Sequence, residues 1–440
     1  MKIKSKYKQT TIKNMKFIDS DELYKKFIDP KSVLVKIHDQ VGFSFVNDLC
    51  DKIYCDDGQN AFLPELVFRV SFIQFFHGGI SDNEIVKQCR TNLEYRYFCN
   101  LSIDDDLFDD CKLSRFRKEL GAQKFKEIFD ILMNKIRDAG LITKDETQYM
   151  DSFLFIADVK LISMNSLLNH AIGNVLTALG KTDEEMVVDK KKRDFEMNEE
   201  EQKNRFVFLV RKAQEILVST KLKPEISDET KKAILVLAKI VKQRAEIIGN
   251  EIRKKESNEE KDKIVNVSDP DARMMGKKET DIAPSYKAHV AMTKKRFITF
   301  TNVTLATVYD GHYVPTIIHD LKEREFTVPT GVGDTHYGDI ALRELMAKEN
   351  TQIIAPYRKN QAWNSCLTNN TMIEAWAYNH SQEYLMHKKI RSYIEPKQGE
   401  MKNLHGMKRA KFRGLEKVRI QNYMSAIVTN CKKWAICNLA

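Results

Sequence analysis

The sequence predicts a mixed α/β domain that follows an all-helical N-terminal region and is interrupted by a helical insertion. Three observations support this prediction. Residues 20 to 143 have the patterns of short helices. Strand-like apolar and aromatic runs appear at residues 147 to 159 and return between 285 and 333. The intervening residues 180 to 263 are rich in Lys and Glu, with apolar positions spaced as in amphipathic helices.

Length and charge bound the classes of function. A chain of 440 residues is long enough for two or three domains, and its net charge of +10 favours an acidic partner, foremost nucleic acid. The first 19 residues are basic without the apolar core of a secretory signal, so we expect a flexible basic arm there. The apolar runs are far shorter than the roughly 20 residues that span a bilayer, so we expect no membrane partner. The eight cysteines show no C-x-x-C pair and no zinc-finger spacing, which indicates a reducing, cytoplasmic environment.

Helix signals are clear in the N-terminal region. Ser81 and Glu84 have the spacing of a capping box, in which each side chain satisfies a free backbone donor, and they predict that a helix begins there. Gly78 and Gly79 end the apolar helix that comes before it. The predicted helices are residues 63 to 76, 81 to 90, 113 to 120 and 123 to 139, with an acidic loop at 104 to 110.

The C-terminal region combines strands with helices. Strands are predicted at residues 147 to 159, 285 to 291, 296 to 308, 326 to 333 and 352 to 357, and helices at 338 to 348 and 418 to 431. Strands followed by helix–strand alternation and a closing helix indicate a mixed sheet with flanking helices.

Three acids stand out by their positions. Asp151 lies inside the first predicted strand, Asp334 at the end of another, and Glu395 in a basic segment. That segment, residues 386 to 420, holds eleven Lys and Arg against three acids, a net charge of +8. A charged side chain within an apolar strand is costly unless it is paired or binds a metal, although many such acids are only turn or cap residues. Three converging carboxylates would suit Mg²⁺, which prefers hard oxygen ligands.

The order of several short motifs is more specific than any one of them. It resembles bacterial insertion-sequence transposases, which have a DDE catalytic domain on an RNase H-like fold. The resemblance rests on three blocks that cover most of the chain. These are the helical run from Leu63 to Leu120, the strand with Asp151 followed by residues 268 to 289, and the motifs Gly333-Asp334-x-x-Tyr337, Arg391-x3-Glu395-x6-Lys402 and Gly406-Met-x-Arg409-x3-Arg413-Gly414.

The resemblance implies roles for individual residues. Asp151, Asp334 and Glu395 would form the catalytic triad and bind two Mg²⁺ ions, with Mn²⁺ as the alternative metal. The side chains implied as DNA contacts are Arg391, Lys402, Lys408, Arg409 and Arg413. Glu395 and Lys402 lie seven residues apart, close to two helical turns, so they share one face of a helix.

The resemblance also implies an organisation and partners. Residues 20 to 143 would be a helical DNA-binding domain, and residues 144 to 440 an RNase H-like catalytic domain with a charged helical insertion at about 165 to 265. The expected partners are double-stranded DNA, as element ends and target, and a second copy of the chain on that DNA. The expected location is the bacterial cytoplasm, associated with the nucleoid.

Some positions depart from the family pattern. Lys388 stands where the family often has Tyr, and Pro396 stands where Arg is common. Because proline disfavours helical geometry just before it, we predict that Glu395 is an N-cap or sits at a kink, with Arg391 outside the regular helix. Glu400 is then the alternative acid.

Two other functions remain open at this point. One is a catalytically inactive, transposase-derived DNA-binding protein, and the other is an RNase H-like nuclease without strand transfer. For Asp269 and Asp271 we favour a turn before a strand over a catalytic role, and for His289 a place in or behind the core over metal ligation.

Overall fold

A computed structural model describes residues 20–51, 61–180, 196–221, 226–255, 262–276, 278–356 and 369–437. The predicted basic arm, residues 1 to 19, lies outside these ranges. Within them, every helix is too short or too polar to span a bilayer.

Helices make up the described part of the N-terminal region. They are α1 (Ser20–Phe27), α2 (Val33–Val41), α3 (Phe45–Cys50), α4 (Pro64–Phe76), α5 (Asp82–Thr91), α6 (Leu93–Phe98) and α7 (Cys111–Asp138). The Ser81 side chain accepts a hydrogen bond from the Glu84 N–H and caps α5, as predicted. Gly121, with φ of 66°, breaks α7 between the two helices expected there.

A helical module follows the first strand, β1 (Gln148–Ile156). It contains α8 (Met164–Ala178), α9 (Glu199–Lys221), α10 (Asp228–Arg244) and a hairpin of β2 (Ala245–Ile248) and β3 (Glu251–Lys254). These elements bury a hydrophobic cluster of their own. Only helices were expected here, and the hairpin was missed because Gly249, with φ of 59°, reverses the chain within a mixed-charge run.

The chain then completes the sheet. The elements are β4 (Arg273–Met275), β5 (Ala283–Met292), β6 (Ile298–Leu305), α11 (Asp310–Glu323), β7 (Thr330–Val332), α12 (Ile340–Lys348) and β8 (Gln352–Ile354). β5 pairs antiparallel with β1 on one edge and with β4 and β6 on the other, whereas β1, β7 and β8 run parallel. The mixed sheet and the helical N-terminal region predicted from the sequence are therefore confirmed.

Two expectations for this part were wrong. The strand predicted at residues 326 to 333 covers only β7, because Glu325 and Val328 have positive φ angles of 65° and 41°, which interrupt an extended chain. Helix α11 was not predicted at all, since Gly311 and Pro315 both weaken its helical signal.

Four helices close the described chain, namely α13 (Asn370–Asn379), α14 (Gln382–Arg391), α15 (Ile394–Leu404) and α16 (Leu415–Cys437). α16 is buried along most of its length and lies between the N-terminal helices and the sheet. One continuous hydrophobic cluster includes residues from α2, α4, α7, the sheet and α16. The N-terminal helices and the sheet are therefore held together by a shared core.

Candidate active site

The register of two parallel strands brings Asp151 and Asp334 together. β1 and β7 pair with Gln148 opposite Gly331 and Tyr149 opposite Val332. Asp151 and Asp334 each lie two residues after the pair Tyr149–Val332, so this register brings the segments that carry them together. The charge of Asp334 acts on the Asp151 carboxyl, so the two carboxylates are neighbours.

Asp151 is strongly affected by its surroundings. Burial raises its pKa to about 6, and the nearby carboxylates of Asp334 and Asp310 act in the same direction. A hydrogen bond from the Ser152 N–H and the guanidinium of Arg391, whose Nη1 is 4.0 Å from Asp151 Oδ2, act in the opposite direction. The site thus concentrates three carboxylates, which Arg391 beside Asp151 and Lys287 beside Asp310 partly balance.

The turn after β7 holds Asp334 in place. Its Oδ1 accepts a hydrogen bond of 2.8 Å from the His336 N–H, and this caps the short helical turn Thr335–Tyr337. The ring of Tyr337 packs directly on Gly333, where a methyl group would overlap it. Any side chain at residue 333 would therefore displace this turn.

Asp310 is a site residue that the sequence did not reveal, because α11 was not predicted. It begins α11, and its carboxylate is 3.0 Å from the ammonium of Lys287. Gly311 packs against the carbonyl of His336, which seats the start of α11 on the turn after Asp334. The signal that could have revealed it is an acid followed by Gly a few residues after a strand.

Glu395 does not join the two aspartates. It is exposed in the first turn of α15, and among the described residues no three His, Cys, Asp or Glu side chains are close enough to share a metal ion. Of the two positions predicted for Glu395, the N-cap is wrong, since Tyr393 holds it and Pro396 fits in the first helical turn. A break between α14 and α15 at Ser392 and Tyr393 does lie just before Glu395, close to the predicted kink. Arg391 ends α14, so it lies outside α15.

The helix that carries Glu395 nevertheless faces β1. The Lys402 ammonium is 4.7 Å from the centre of the Phe153 ring, and Phe153 is two residues from Asp151 on the same face of its strand. Glu395 shares the Lys402 face of α15 because of the seven-residue spacing. Arg391 and Lys402 therefore both lie along the strand that bears Asp151.

Glu400 has a different environment. Its carboxylate is 2.7 Å from Lys397, 3.5 Å from Lys432 and 3.6 Å from His405. Burial alone would raise the pKa of Glu400, but hydrogen bonding from His405 and the two lysine charges lower it to about 2. Glu400 is thus engaged by cations on the α16 side of its helix and is not grouped with the aspartates.

The remaining basic residues cluster beyond the end of β1. Arg409 and Arg413 are 3.7 Å and 3.3 Å from the Asp158 carboxylate, and Lys408 is exposed beside them. The Ala410 N–H bonds to the Ile156 carbonyl at 2.7 Å, which fixes this segment to the strand end. The cluster is roughly 17 Å along β1 from Asp151, five residues at about 3.3 Å each.

Asp269, Asp271 and His289, for which a structural role was favoured, all have structural partners. Asp269 is fully buried, accepting hydrogen bonds from Tyr286 and from the Gly414 N–H, and Asp271 accepts one from Leu415 at the start of α16. His289 is buried, bonds Thr304 at 2.9 Å and stacks on a tyrosine ring.

The two aspartates fit a divalent cation in their chemistry. Carboxylate oxygens are the ligands that Mg²⁺ and Mn²⁺ prefer, and two neighbouring like charges are stabilised by a cation between them. In this arrangement Asp151 and Asp334 would hold the ion, and Glu395 would have to approach from α15.

Two family models match the chain. One, described as "Transposase domain (DUF772)", matches residues 22 to 119, and the other, described as "Transposase DDE domain", matches residues 268 to 431. Both agree with the resemblance found in the sequence. A DDE domain implies an RNase H-like fold, with which the mixed sheet and the helical N-terminal region agree. Asp334 and Glu395 lie within the second match, whereas Asp151 lies in neither.

No curated protein and no solved structure matches this chain.

Replacing Asp151 with Asn should alter stability in a pH-dependent way. The folded-state pKa of about 6 exceeds the unfolded value of about 3.9, so ionisation disfavours folding, with the cost developing between these pH values and fully present above them. Asp151→Asn removes this cost. We expect the free energy of unfolding without divalent ions to rise by about 2 to 3 kcal/mol at pH 7.5 and to change little near pH 4, as measured by urea denaturation.

Asp138→Asn is the matched control, because its carboxylate is 75% exposed at the end of α7. It should leave the free energy of unfolding unchanged at both pH values. An equal effect of Asp151→Asn at both pH values would show that ionisation of Asp151 does not oppose folding.

Glu400→Gln should destabilise the chain at neutral pH, because it leaves the buried Lys397 without its carboxylate. The pKa of Glu400 is lowered from 4.5 to about 2. Its carboxylate therefore contributes about 3 kcal/mol to the free energy of unfolding above pH 4.5, and this contribution is lost as the pH falls towards 2. Urea denaturation at pH 7.5 measures the effect, with Glu416→Gln, 70% exposed, as control. Unchanged stability together with weaker Mn²⁺ binding would instead make Glu400 a metal ligand.

Proposed function

Because the chain belongs to the DDE transposases of insertion sequences, we propose that it binds the inverted terminal ends of its element and catalyses metal-dependent strand cleavage and strand transfer. The observation that carries the proposal is the parallel register of β1 and β7, which sets Asp151 beside Asp334. Asp151 lies outside both family matches, so its assignment rests on this geometry.

Asp151 and Asp334 would hold the divalent ions, and Glu395 would complete the set from α15. Bound there, Mg²⁺ or Mn²⁺ would lower the pKa of an attacking water and stabilise the leaving 3′ oxygen. The protein's own part is to hold Asp151 on β1 and Asp334 just after the end of β7, and to shield most of the Asp151 side chain from water, which strengthens its hold on a cation. In strand transfer, the freed 3′-OH takes the place of water as the nucleophile.

Arg391 and Lys402 would contact phosphates beside the scissile bond. Both lie along β1 near Asp151, at 4.0 Å from its carboxylate and 4.7 Å from the Phe153 ring respectively. Lys408, Arg409 and Arg413 would bind phosphates further along the duplex, beyond the end of β1. Together these cations define a path for the DNA backbone of roughly 17 Å or more, the distance along β1 from Asp151 to the strand end at Ile156.

The remaining assignments follow from the same proposal. Residues 20 to 143 would recognise the element ends, and residues 144 to 440 would form the catalytic domain, with residues 165 to 265 as an insertion. Two copies would act together on the DNA, within the bacterial cytoplasm at the nucleoid. Because α16 and the N-terminal helices share one core, the part that would recognise the element ends would lie at a fixed distance from the part that would cleave them.

The exposed position of Glu395 favours one rival function, a catalytically inactive DNA-binding protein. Substitution of the acids decides between them. Asp151→Asn, Asp334→Asn and Glu395→Gln should each lower cleavage about a thousandfold, because each removes several kcal/mol of charge stabilisation in the transition state. The assay measures nicking of a duplex carrying the element's own end, in Mg²⁺, and joining of a pre-cut 3′-OH end to a target plasmid.

Glu383→Gln is the control, since this acid is 63% exposed on the neighbouring helix α14. Binding of the duplex without any cleavage by the wild type would establish the inactive DNA-binding protein. Cleavage without joining would establish a nuclease. If Glu395→Gln cleaves at the wild-type rate while the two aspartate variants do not, Glu395 is not a catalytic residue and the two aspartates are.

The double change Arg409→Ala and Arg413→Ala should weaken binding to duplexes of any sequence. Each phosphate contact releases counterions, so the slope of log affinity against log salt concentration should become shallower by about 2. Fluorescence anisotropy across a salt series measures this. Lys144→Ala is the control, an exposed cation likewise paired with a carboxylate, and an equal loss in both variants would argue against a DNA path at the end of β1.

A further inference from the structure

The hydroxyl of Tyr337 is buried next to the candidate active site without a hydrogen-bond partner among the described atoms. The residue is fully buried, and its ring is fixed against Gly333, one residue before Asp334. Buried hydroxyls are nearly always hydrogen-bonded in folded proteins, so an isolated one beside a candidate site calls for an explanation.

Other buried tyrosines of the same sheet show the usual pattern. The Tyr149 hydroxyl is 3.0 Å from His387 Nδ1, and the Tyr286 hydroxyl bonds the Asp269 carboxylate. A tyrosine that only fills the core would resemble these two. Tyr337 differs because its hydroxyl lies among the charges of the site.

Tyr337 also contacts the residue that carries the second carboxylate, since its N–H donates a 3.0 Å hydrogen bond to the Asp334 carbonyl. The charges of Asp151, Asp310, Asp334 and Arg391 all act on its side chain. A phenol hydroxyl can donate one hydrogen bond while accepting another.

Asp310 is held in place near Tyr337. Lys287 Nζ is 3.0 Å from the Asp310 carboxylate and donates a second hydrogen bond of 2.7 Å to the Val308 carbonyl. The contact of Gly311 with the His336 carbonyl places Asp310 against the turn that carries Tyr337. Two independent contacts thus fix this third carboxylate at the site.

We propose that Tyr337 is a positioning residue whose hydroxyl hydrogen-bonds a water on the cation held by Asp151 and Asp334, with Asp310 as the fixed carboxylate of the same pocket. This inference rests on the proposed function and adds two residues to its site. Tyr337 and Asp310 orient that water and raise the affinity for the ion without binding it themselves.

The test measures the binding of Mn²⁺ to the protein without DNA by isothermal titration calorimetry. Tyr337→Phe removes only the isolated hydroxyl, so the stability to urea should not fall, whereas the dissociation constant for Mn²⁺ should rise about fivefold. Tyr149→Phe is the matched control. Tyr149 lies on the same strand as Asp151, and its hydroxyl has a hydrogen-bond partner, His387. It should lower the stability and leave the affinity for Mn²⁺ unchanged.

Asp310→Asn provides a second variant, in which the affinity for Mn²⁺ should fall several-fold. If Tyr337→Phe does not fold, this variant tests whether the pocket supports the ion. Wild-type Mn²⁺ affinity in the folded variants, alongside loss of binding in Asp151→Asn, would overturn this inference and leave the proposed function intact. Unchanged Mn²⁺ binding in Asp151→Asn would remove the metal site itself, and with it the proposed function.

Discussion

The site depends on two carboxylates fixed on neighbouring strands. Backbone pairing of β1 with β7 brings the segments that carry Asp151 and Asp334 together, and the turn after β7 fixes Asp334 through its hydrogen bond from the His336 N–H. Burial disfavours the charged form of the Asp151 carboxyl and raises its pKa to about 6, and the neighbouring charge of Asp334 adds to this effect. Folding of the sheet therefore creates a place where a cation is favourable, and the basic residues around it can be understood from that requirement.

A second constraint is the buried helix α16, which fixes the basic segment to the sheet. The Gln421 side chain bonds the backbone of Gly406, Arg409 and Lys411, and Asn430 bonds both backbone groups of Ile298 on β6. Such polar side chains in a core must find partners, and here the partners are loop and strand-edge backbone. The cations beyond β1 are thus carried by a rigid segment, which suits repeated contact with a regular phosphate backbone.

Local sequence patterns predicted β1, which carries Asp151, over its full length, whereas they overextended the strand before Asp334. An acid between apolar neighbours marked Asp151, and an acid after a short apolar run marked Asp334, since both patterns follow from strand geometry alone. Helix α11 escaped because Pro315 obscures a helix that tertiary packing stabilises. Asp310 was lost with it. The position of Glu395 could not be read from spacing, because α15 begins at Ile394 after a break that follows Arg391.

The positions of Arg391 and Glu395 agree with the charge of the aspartates. Neighbouring carboxylates attract a positive group and repel a further carboxylate. The positive group beside Asp151 is Arg391, four residues before Glu395. Since α14 ends at Arg391 and α15 begins at Ile394, the two side chains belong to different helices. The break between these helices therefore allows a cation to lie beside Asp151 while Glu395 is exposed on the next helix.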